Sequence, residues 1–292
     1  TFTVTLSNES YQQVTVDFAT ADGTATLLDN DYTALTGTLT FLADTTTLTQ
    51  TIIVQTTADT KFEPNETVNV NLTNPVNATI ADNQGVGTIT NDDSAPTITI
   101  NDVSITEGGQ LSFTVTLSNE SYQQVTVDFA TANGTATLLD NDYTALTGTL
   151  TFLADTTTLT QTIIVQTTAD TKFELNETVN VNLTNPVNAT IADTQGVGTI
   201  TNDDSAPTIT INDVSITEGG QLTFTVTLSN ESYQQVTVDF ATANGTATLL
   251  DNDYTALAGT LAFLADTTTL TQTIIVQTTA DTKFELNETV NV

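Results

Sequence analysis

The chain has 292 residues and carries 35 Asp and Glu against three Lys, with no Arg, His, Cys, Met or Trp, for a formal net charge of −32. It therefore offers no His- or Cys-based nucleophile, no imidazole or thiolate metal site and no disulfide. It also lacks the cations to neutralise a nucleic-acid backbone or meet an anionic membrane surface, and no apolar run is long enough to span a bilayer.

Acidity does not make the chain disordered. Hydrophobic residues are 38% of the total, and Val, Ile, Leu and Phe alternate with Thr, which alone supplies 72 positions. The string Phe-Thr-Val-Thr-Leu-Ser-Asn-Glu-Ser-Tyr opens at Phe2, Phe113 and Phe224, a period of 111 residues. Sliding residues 1–181 onto 112–292 leaves seven mismatches. That period exceeds a solenoid coil or a propeller blade and suits a whole domain in tandem. The copies are expected at 1–94, 96–206 and 207–292, the first without its opening strand and the third without its last strands, as in a window from a longer array. The joints fall at Asn91–Pro96 and Asn202–Pro207, and linkers so short, ending in Pro, predict semi-rigid end-to-end stacking.

In chain order, the complete copy opens with an alternating segment at Thr97–Asn101, then Val103–Ile105, then a turn at Glu107-Gly-Gly. Leu111–Ser118 puts Leu111, Phe113, Val115 and Leu117 on one face. Gln123–Thr131, Gly148–Phe152, Leu159–Thr167, Thr178–Thr184 and Gly196–Thr201 repeat the two-residue period. The breaks carry turn chemistry, such as Ser-Asn-Glu-Ser, Asn-Gly, Asp-Asn-Asp and Thr-Asn-Pro. About seven antiparallel strands in a hundred residues predict an all-β, immunoglobulin-like sandwich in each copy, with Thr on the solvated faces.

Several acids fall in loops: Glu107, Asp140 and Asp142, Asp170 with Glu174 and Glu177, and Asp203-Asp204. Alternate loops of a sandwich meet at one end, so these carboxylates are expected to crowd at one pole. Crowded carboxylates repel unless protonated or neutralised, and a hard divalent cation such as Ca²⁺, which takes six to eight oxygens, is the natural neutraliser. The alternative is a solvated face that keeps the chain soluble.

In order and spacing, Val103-Ser-Ile-Thr-Glu107-Gly, then Asp142-Tyr143 before Gly148-Thr-Leu-Thr-Phe152, then Asp170, Glu174 and Glu177-Thr178, then Ile200 with Asp203-Asp204, resemble the Calx-β domain. The resemblance covers all three copies. It implies a Ca²⁺-binding immunoglobulin-like sandwich of the kind found in sodium/calcium exchangers and in long tandem arrays of bacterial surface proteins. Carried over by motif, it implies Glu107, Asp142, Asp170, Glu174, Asp203 and Asp204 as ligands in the middle copy. In the first copy it implies Asp31, Asp59, Glu63, Asp92 and Asp93, and in the third Glu218, Asp253, Asp281 and Glu285. Glu177 matches a further family acid. Asn202 stands where the family often has the first Asp of a triplet, and Asp140 where Gly is common.

The expected function is non-enzymatic: a calcium-stiffened rod or fibre in an extracellular or cell-surface filament, sheath or adhesin. Its expected partners are neighbouring copies of itself, including a homopolymeric filament joined by strand exchange, and cell-surface glycans or matrix. A calcium-sensing regulatory module and a carbohydrate-binding domain using Tyr122 and Tyr143 are the alternatives. Lys61, Lys172 and Lys283, one per copy, are expected to relieve charge locally beside the acidic loop, or else to form an isopeptide bond.

Overall fold

The computed structural model describes residues 1–292, a succession of strands, turns and loops with no helix. The first copy contributes β1 (Phe2–Thr5), β2 (Val14–Asp22), β3 (Thr36–Phe41), β4 (Thr49–Ile52), β5 (Glu66–Val76) and β6 (Gln84–Ile89). The middle copy contributes β7 (Thr97–Ile100), β8 (Val103–Thr106), β9 (Gln110–Leu117), β10 (Val125–Asn133) and β11 (Thr147–Phe152). It continues with β12 (Thr160–Gln166), β13 (Glu177–Val187), β14 (Thr190–Ile191) and β15 (Gln195–Thr201). The third copy contributes β16 (Ile209–Ile211), β17 (Gln221–Leu228), β18 (Val236–Ala241), β19 (Ala243–Asn244), β20 (Ala258–Phe263), β21 (Thr271–Gln277) and β22 (Val290–Asn291).

Alternation decides which face each strand buries. Leu111, Phe113, Val115 and Leu117 of β9 point inward, as do Val125 and Val127 of β10, Ile163 and Val165 of β12, and Val179, Val181 and Leu183 of β13. These belong to one core of 18 buried residues in the middle copy. Two sheets enclose it, one of five strands in the order β11-β10-β13-β15-β8 and one of four in the order β12-β9-β7-β14. The middle copy is thus an immunoglobulin-like sandwich, and every segment read as a strand from the sequence is one. The two-residue β14, which pairs in parallel with β7, lies in a stretch too short and polar to show a period.

Between β7 and β8 the chain changes sheets. β7 pairs antiparallel with β9, while β8 pairs in parallel with β15. The crossing at Asn101-Asp102 would strand backbone donors, and the two side chains take them up. Asn101 Oδ1 accepts from the Thr114 N–H at 2.5 Å and Asp102 Oδ1 from the Val197 N–H at 2.7 Å. On β15 a glycine is required by close approach: a Cβ at Gly198 would stand 2.7 Å from Leu111 and 2.9 Å from the Phe113 ring.

No helix of the chain is long and apolar enough to cross a membrane.

Phe113 is fully buried between the sheets. Phe113→Ala is expected to destabilise the middle copy by about 3–5 kcal/mol. Thr162→Ala, at an exposed position of β12, is expected to stay within about 0.5 kcal/mol. Urea unfolding followed by circular dichroism checks both; equal effects would mean that β9 and β12 do not face the core as described.

Candidate metal centre

The parallel pairing of β8 with β15 sends both strands out at the same end of the sandwich. Glu107 follows β8 and Asn202-Asp203-Asp204 follows β15, so residues 96 positions apart become neighbours. The Glu107 N–H donates to the Thr201 carbonyl at 3.1 Å, and the Asp203 N–H donates to Glu107 Oε1 at 3.2 Å. The β10–β11 loop, holding Asp142, and the β12–β13 loop, holding Asp170 and Glu174, open at that end too.

Two carboxylate trios result. Glu107, Asp170 and Asp204 offer oxygens within 4.8 Å of one another, and so do Asp142, Glu174 and Glu177. Five of these six acids, Glu107, Asp142, Asp170, Glu174 and Glu177, line one cleft together with Asn202.

Local structure fixes these side chains before any ligand arrives. The β10–β11 loop folds around Asp142, which is buried and accepts from the Thr137 N–H at 2.5 Å. The loop can close so tightly because Asn141 takes a left-handed conformation (φ 64°), which Asn tolerates better than most residues. Asp140 makes a turn contact instead, accepting from Thr137 Oγ1 at 3.0 Å on the exposed side. Asp170 Oδ1 accepts from the Lys172 N–H at 2.7 Å, which shapes the next loop.

Asn202 braces the cleft. Its Oδ1 accepts from the Glu174 N–H at 3.2 Å and its Nδ2 donates to the Asp204 carbonyl at 2.9 Å. An ionised Asp there would only accept, so the amide of Asn202 can cross-link two acidic segments as a carboxylate could not.

The electrostatics follow from crowding. Burial, then the neighbouring charge of Asp142, pushes Glu177 up to about 8. Glu107 rises to about 7, chiefly through burial, with Asp170 and Asp204 adding to it. Glu174 is raised by burial, although Lys172, 2.5 Å away, opposes the rise. Asp204 Oδ2 is buried without any hydrogen-bond partner. A buried, unpartnered carboxylate oxygen is costly, and here it lies beside two further carboxylates. Such an all-oxygen donor set suits a hard cation of the Ca²⁺ or Mg²⁺ kind and not a soft one.

Of the residues singled out from the middle copy, Glu107, Asp142, Asp170, Glu174 and Asp204 are brought together. Asp203 is exposed and joins neither trio, although its N–H and its side chain both stand against Glu107. In the first copy Asp31 and Glu63 form a trio with Glu66, and in the third Asp253 and Glu285 form one with Glu288. Asp59, Asp92 and Asp93 join no trio. The three remain close enough for Asp92 and Asp59 to add to the desolvation that raises Asp93. Glu218 and Asp281 join none either.

Glu66 and Glu288 are not among the expected ligands, and Glu177 is expected at the pole and matches a family acid without being placed in the ligand set. The signal for them was strand parity. Glu177 shares the inward phase of Val179, Val181 and Leu183 on β13, so the core-facing row ends in an acid at the pole. Tyr143 is likewise a correction to the carbohydrate-binding alternative. It is buried and its hydroxyl donates to Asn133 Oδ1 at 2.6 Å, so it offers no exposed ring.

Glu107 and Glu177 hold protons more tightly in the folded state than at their ordinary value of 4.5. Their contribution to stability is present in full below that value and is lost as pH rises through about 7 to 8. In chelator, the melting temperature is expected to fall between pH 5 and pH 8, and Glu177→Gln, which imitates the protonated acid, should flatten the fall. A melting temperature that rises over the same range in chelator would contradict the crowding described.

Comparison with known proteins supplies a family. The Calx-beta domain family model matches residues 1–104, 90–213 and 201–292. No curated protein matches the chain. Among solved structures, the CBD12 crystal structure from CALX1.2 aligns at 20% identity and a TM-score of 0.35, covering 68% of this chain and 91% of that one. The apo-form Calx CBD1 domain aligns at 19% identity and 0.35, covering 38% and 100%. The structure titled as the calcium binding domain CBD12 of CALX1.1 aligns at 19% and 0.32, covering 68% and 91%. With three matches in tandem that together span its length, the chain belongs to the Calx-beta domain family.

Proposed function

We propose that the chain binds Ca²⁺ at the acidic pole of its sandwiches and serves as a calcium-stiffened structural or adhesive array outside the cell. The observation that carries the calcium reading is the cleft of the middle copy. Six carboxylates gather in and beside it in two trios, one of their oxygens is buried and unpartnered, and Lys172 is the single cation beside them. The Ca²⁺ ion would be held by Glu107, Asp170 and Asp204 on one side and by Asp142, Glu174 and Glu177 on the other. It would supply positive charge where the chain has almost none, replacing the protons that crowding otherwise retains.

Stiffening follows from where Asp204 sits. It belongs to the link between the middle and third copies, so an ion shared with Glu107 and Asp170 ties that link to the body of the sandwich. The structural and adhesive part rests on the repeat itself. Near-identical copies add length without adding specificity, which suits a fibre or a spacer more than a sensor with two states and different partners. High negative charge opposes cross-pairing between identical neighbours as they fold. A location at the cell surface predicts that antibodies against the chain label intact cells, and labelling only after permeabilisation would overturn it.

Calcium binding is tested by thermal unfolding of the chain in chelator, in millimolar Ca²⁺ and in millimolar Mg²⁺. A ligand that binds only the folded state at about a hundred times its dissociation constant adds about 2.7 kcal/mol, which for a domain of this size raises the melting temperature on the order of 10 °C. Asp204→Asn should remove most of the rise in the middle copy and Asp203→Asn little of it. A melting curve indifferent to Ca²⁺ would return the acids to the role of a solvating surface.

A further inference from the structure

Each joint between copies carries a contact beyond the covalent link. At the first joint, the loop between β4 and β5 reaches into the following copy. The Phe62 N–H donates to the Glu120 carbonyl at 3.0 Å, and the Tyr122 N–H donates to the Phe62 carbonyl at 3.1 Å. Together they make a parallel bridge between Phe62 and Ser121. The Phe62 and Tyr122 rings lie 6.0 Å apart, tilted by 51°. Lys61 Nζ stands 2.8 Å from Asp155 of the following copy and 2.7 Å from Glu63 of its own.

The second joint repeats the first. Phe173 exchanges the same two backbone hydrogen bonds with Glu231 and Tyr233, both at 3.0 Å. Its ring lies 5.8 Å from that of Tyr233, and Lys172 Nζ is 2.9 Å from Asp266. Lys61 and Lys172, expected to relieve charge locally or else to form an isopeptide bond, therefore pair with acids of the following copy.

The counterparts of the two halves at residues 284 and 11 have no adjoining copy within residues 1–292. Phe284, the counterpart of Phe173, is 96% exposed, and Tyr11, the counterpart of Tyr122, is 81% exposed against 36% in the joint. The acidic turn keeps its docked shape without a neighbour, and the Lys-Phe loop keeps two of its local contacts. Asp44 has φ 52° where Asp155 and Asp266 have 54°, and its N–H reaches the Ser10 carbonyl at 2.8 Å where theirs reach Ser121 and Ser232 at 2.9 Å. In the third copy, the Lys283 N–H still donates to Asp281 Oδ1 at 2.7 Å, and Lys283 Nζ still pairs with Glu285 at 2.5 Å. The acidic turn is thus formed before docking, which lowers the ordering cost of the contact.

We propose that this Lys-Phe loop is a docking element that holds successive copies in one orientation without a cation, its occupant being the Ser-Tyr segment and the acidic turn of the next copy of the repeat. The backbone bridge and the aromatic contact involve no group that binds an ion. The dock shares only Glu63 or Glu174 with the carboxylate trios. It also accounts for where the chain places its positive charge: all three lysines among 35 acids stand in this loop, and two of them fasten one acidic body to another. Pairs of this kind, half screened from solvent and set beside backbone hydrogen bonds, give orientation more than affinity.

The test uses the whole chain, which has no cysteine, with nitroxide labels at Ile164→Cys and Ile275→Cys, exposed and equivalent positions of the middle and third copies. Pulsed dipolar spectroscopy in chelator is expected to give one narrow distance. Lys172→Ala and Asp266→Ala should each broaden it, and the double variant no further than the worse single one, because the two residues form one contact. Phe173→Ala should broaden it most, with the circular dichroism of each copy retained. A broad distribution in chelator that narrows only with Ca²⁺ would assign the orientation to the cation and overturn the proposal, as would a narrow one that survives Lys172→Ala with Phe173→Ala. Strictly additive broadening by the lysine and aspartate variants would remove the ion pair from it. Calcium binding is independent of this outcome, since the decisive arm contains no calcium and the melting experiment contains no labels; the stiffening ascribed to the ion is not, and a narrow distance in chelator leaves calcium to add stability at the joint and not its orientation.

Discussion

Negative charge without counter-charge is the constraint that shapes this chain. With 35 acids and three lysines, no acidic loop can be settled by pairing side chains in the ordinary way, and each copy meets the problem by position. Most acids are left on solvated faces, where water and salt screen them. Those that converge at the pole of the sandwich are handled one by one through backbone donors, an amide cross-brace and retained protons. Asp142 is taken up by the Thr137 N–H, Glu107 by the Asp203 N–H, and Asn202 ties the segments together where another acid would have added to the repulsion. What is left over is the orphaned oxygen of Asp204 and the raised carboxyls of Glu107 and Glu177. These are the marks of a site whose own groups do not complete it.

The sandwich enters this account as the device that assembles the pole. Antiparallel neighbours return the β10–β11 and β12–β13 loops to one end. The switch of the first strand between sheets then lays β8 along β15, which makes Glu107 the neighbour of a segment almost one repeat away. The polar pair Asn101-Asp102 makes that switch tolerable by accepting the backbone donors it would otherwise leave bare. The joint depends on the same end of the sandwich. The loop that supplies Asp170 and Glu174 to the cleft supplies Lys172 and Phe173 to the next copy, so the acidic centre and the contact between copies are adjacent faces of a single loop.

Strand existence and phase were legible because each reading needs only local alternation: Leu111, Phe113, Val115 and Leu117 declare the inward face of β9 without reference to anything else. The acidic loops were legible as loops, and the gathering of Glu107, Asp142, Asp170, Glu174 and Asp204 followed from sandwich geometry. Glu177 was readable both from the motif that includes it and from parity, as an acid continuing a row of inward valines. Asp203 and Asp204 could not be separated from sequence, since which of two adjacent acids turns inward depends on how β15 leaves the sheet. Tyr122 and Tyr143 looked alike as aromatics outside the main alternation, yet one packs at a joint and the other is buried on Asn133.

The sequence by itself determined the repeat, the all-β class, the inward and outward faces of the strands and the supply of oxygen ligands without nitrogen or sulfur ones. Those are properties of composition and of the two-residue period, which act over a few neighbouring positions. Only the tertiary structure decided which carboxylates form trios, that Asn202 is a brace, and that Lys61 and Lys172 reach across to Asp155 and Asp266. Each of these is a meeting of residues tens of positions apart, set by strand pairing, by the change of sheets after β7 and by the placing of one sandwich on the next, and no local pattern of side chains encodes such distances.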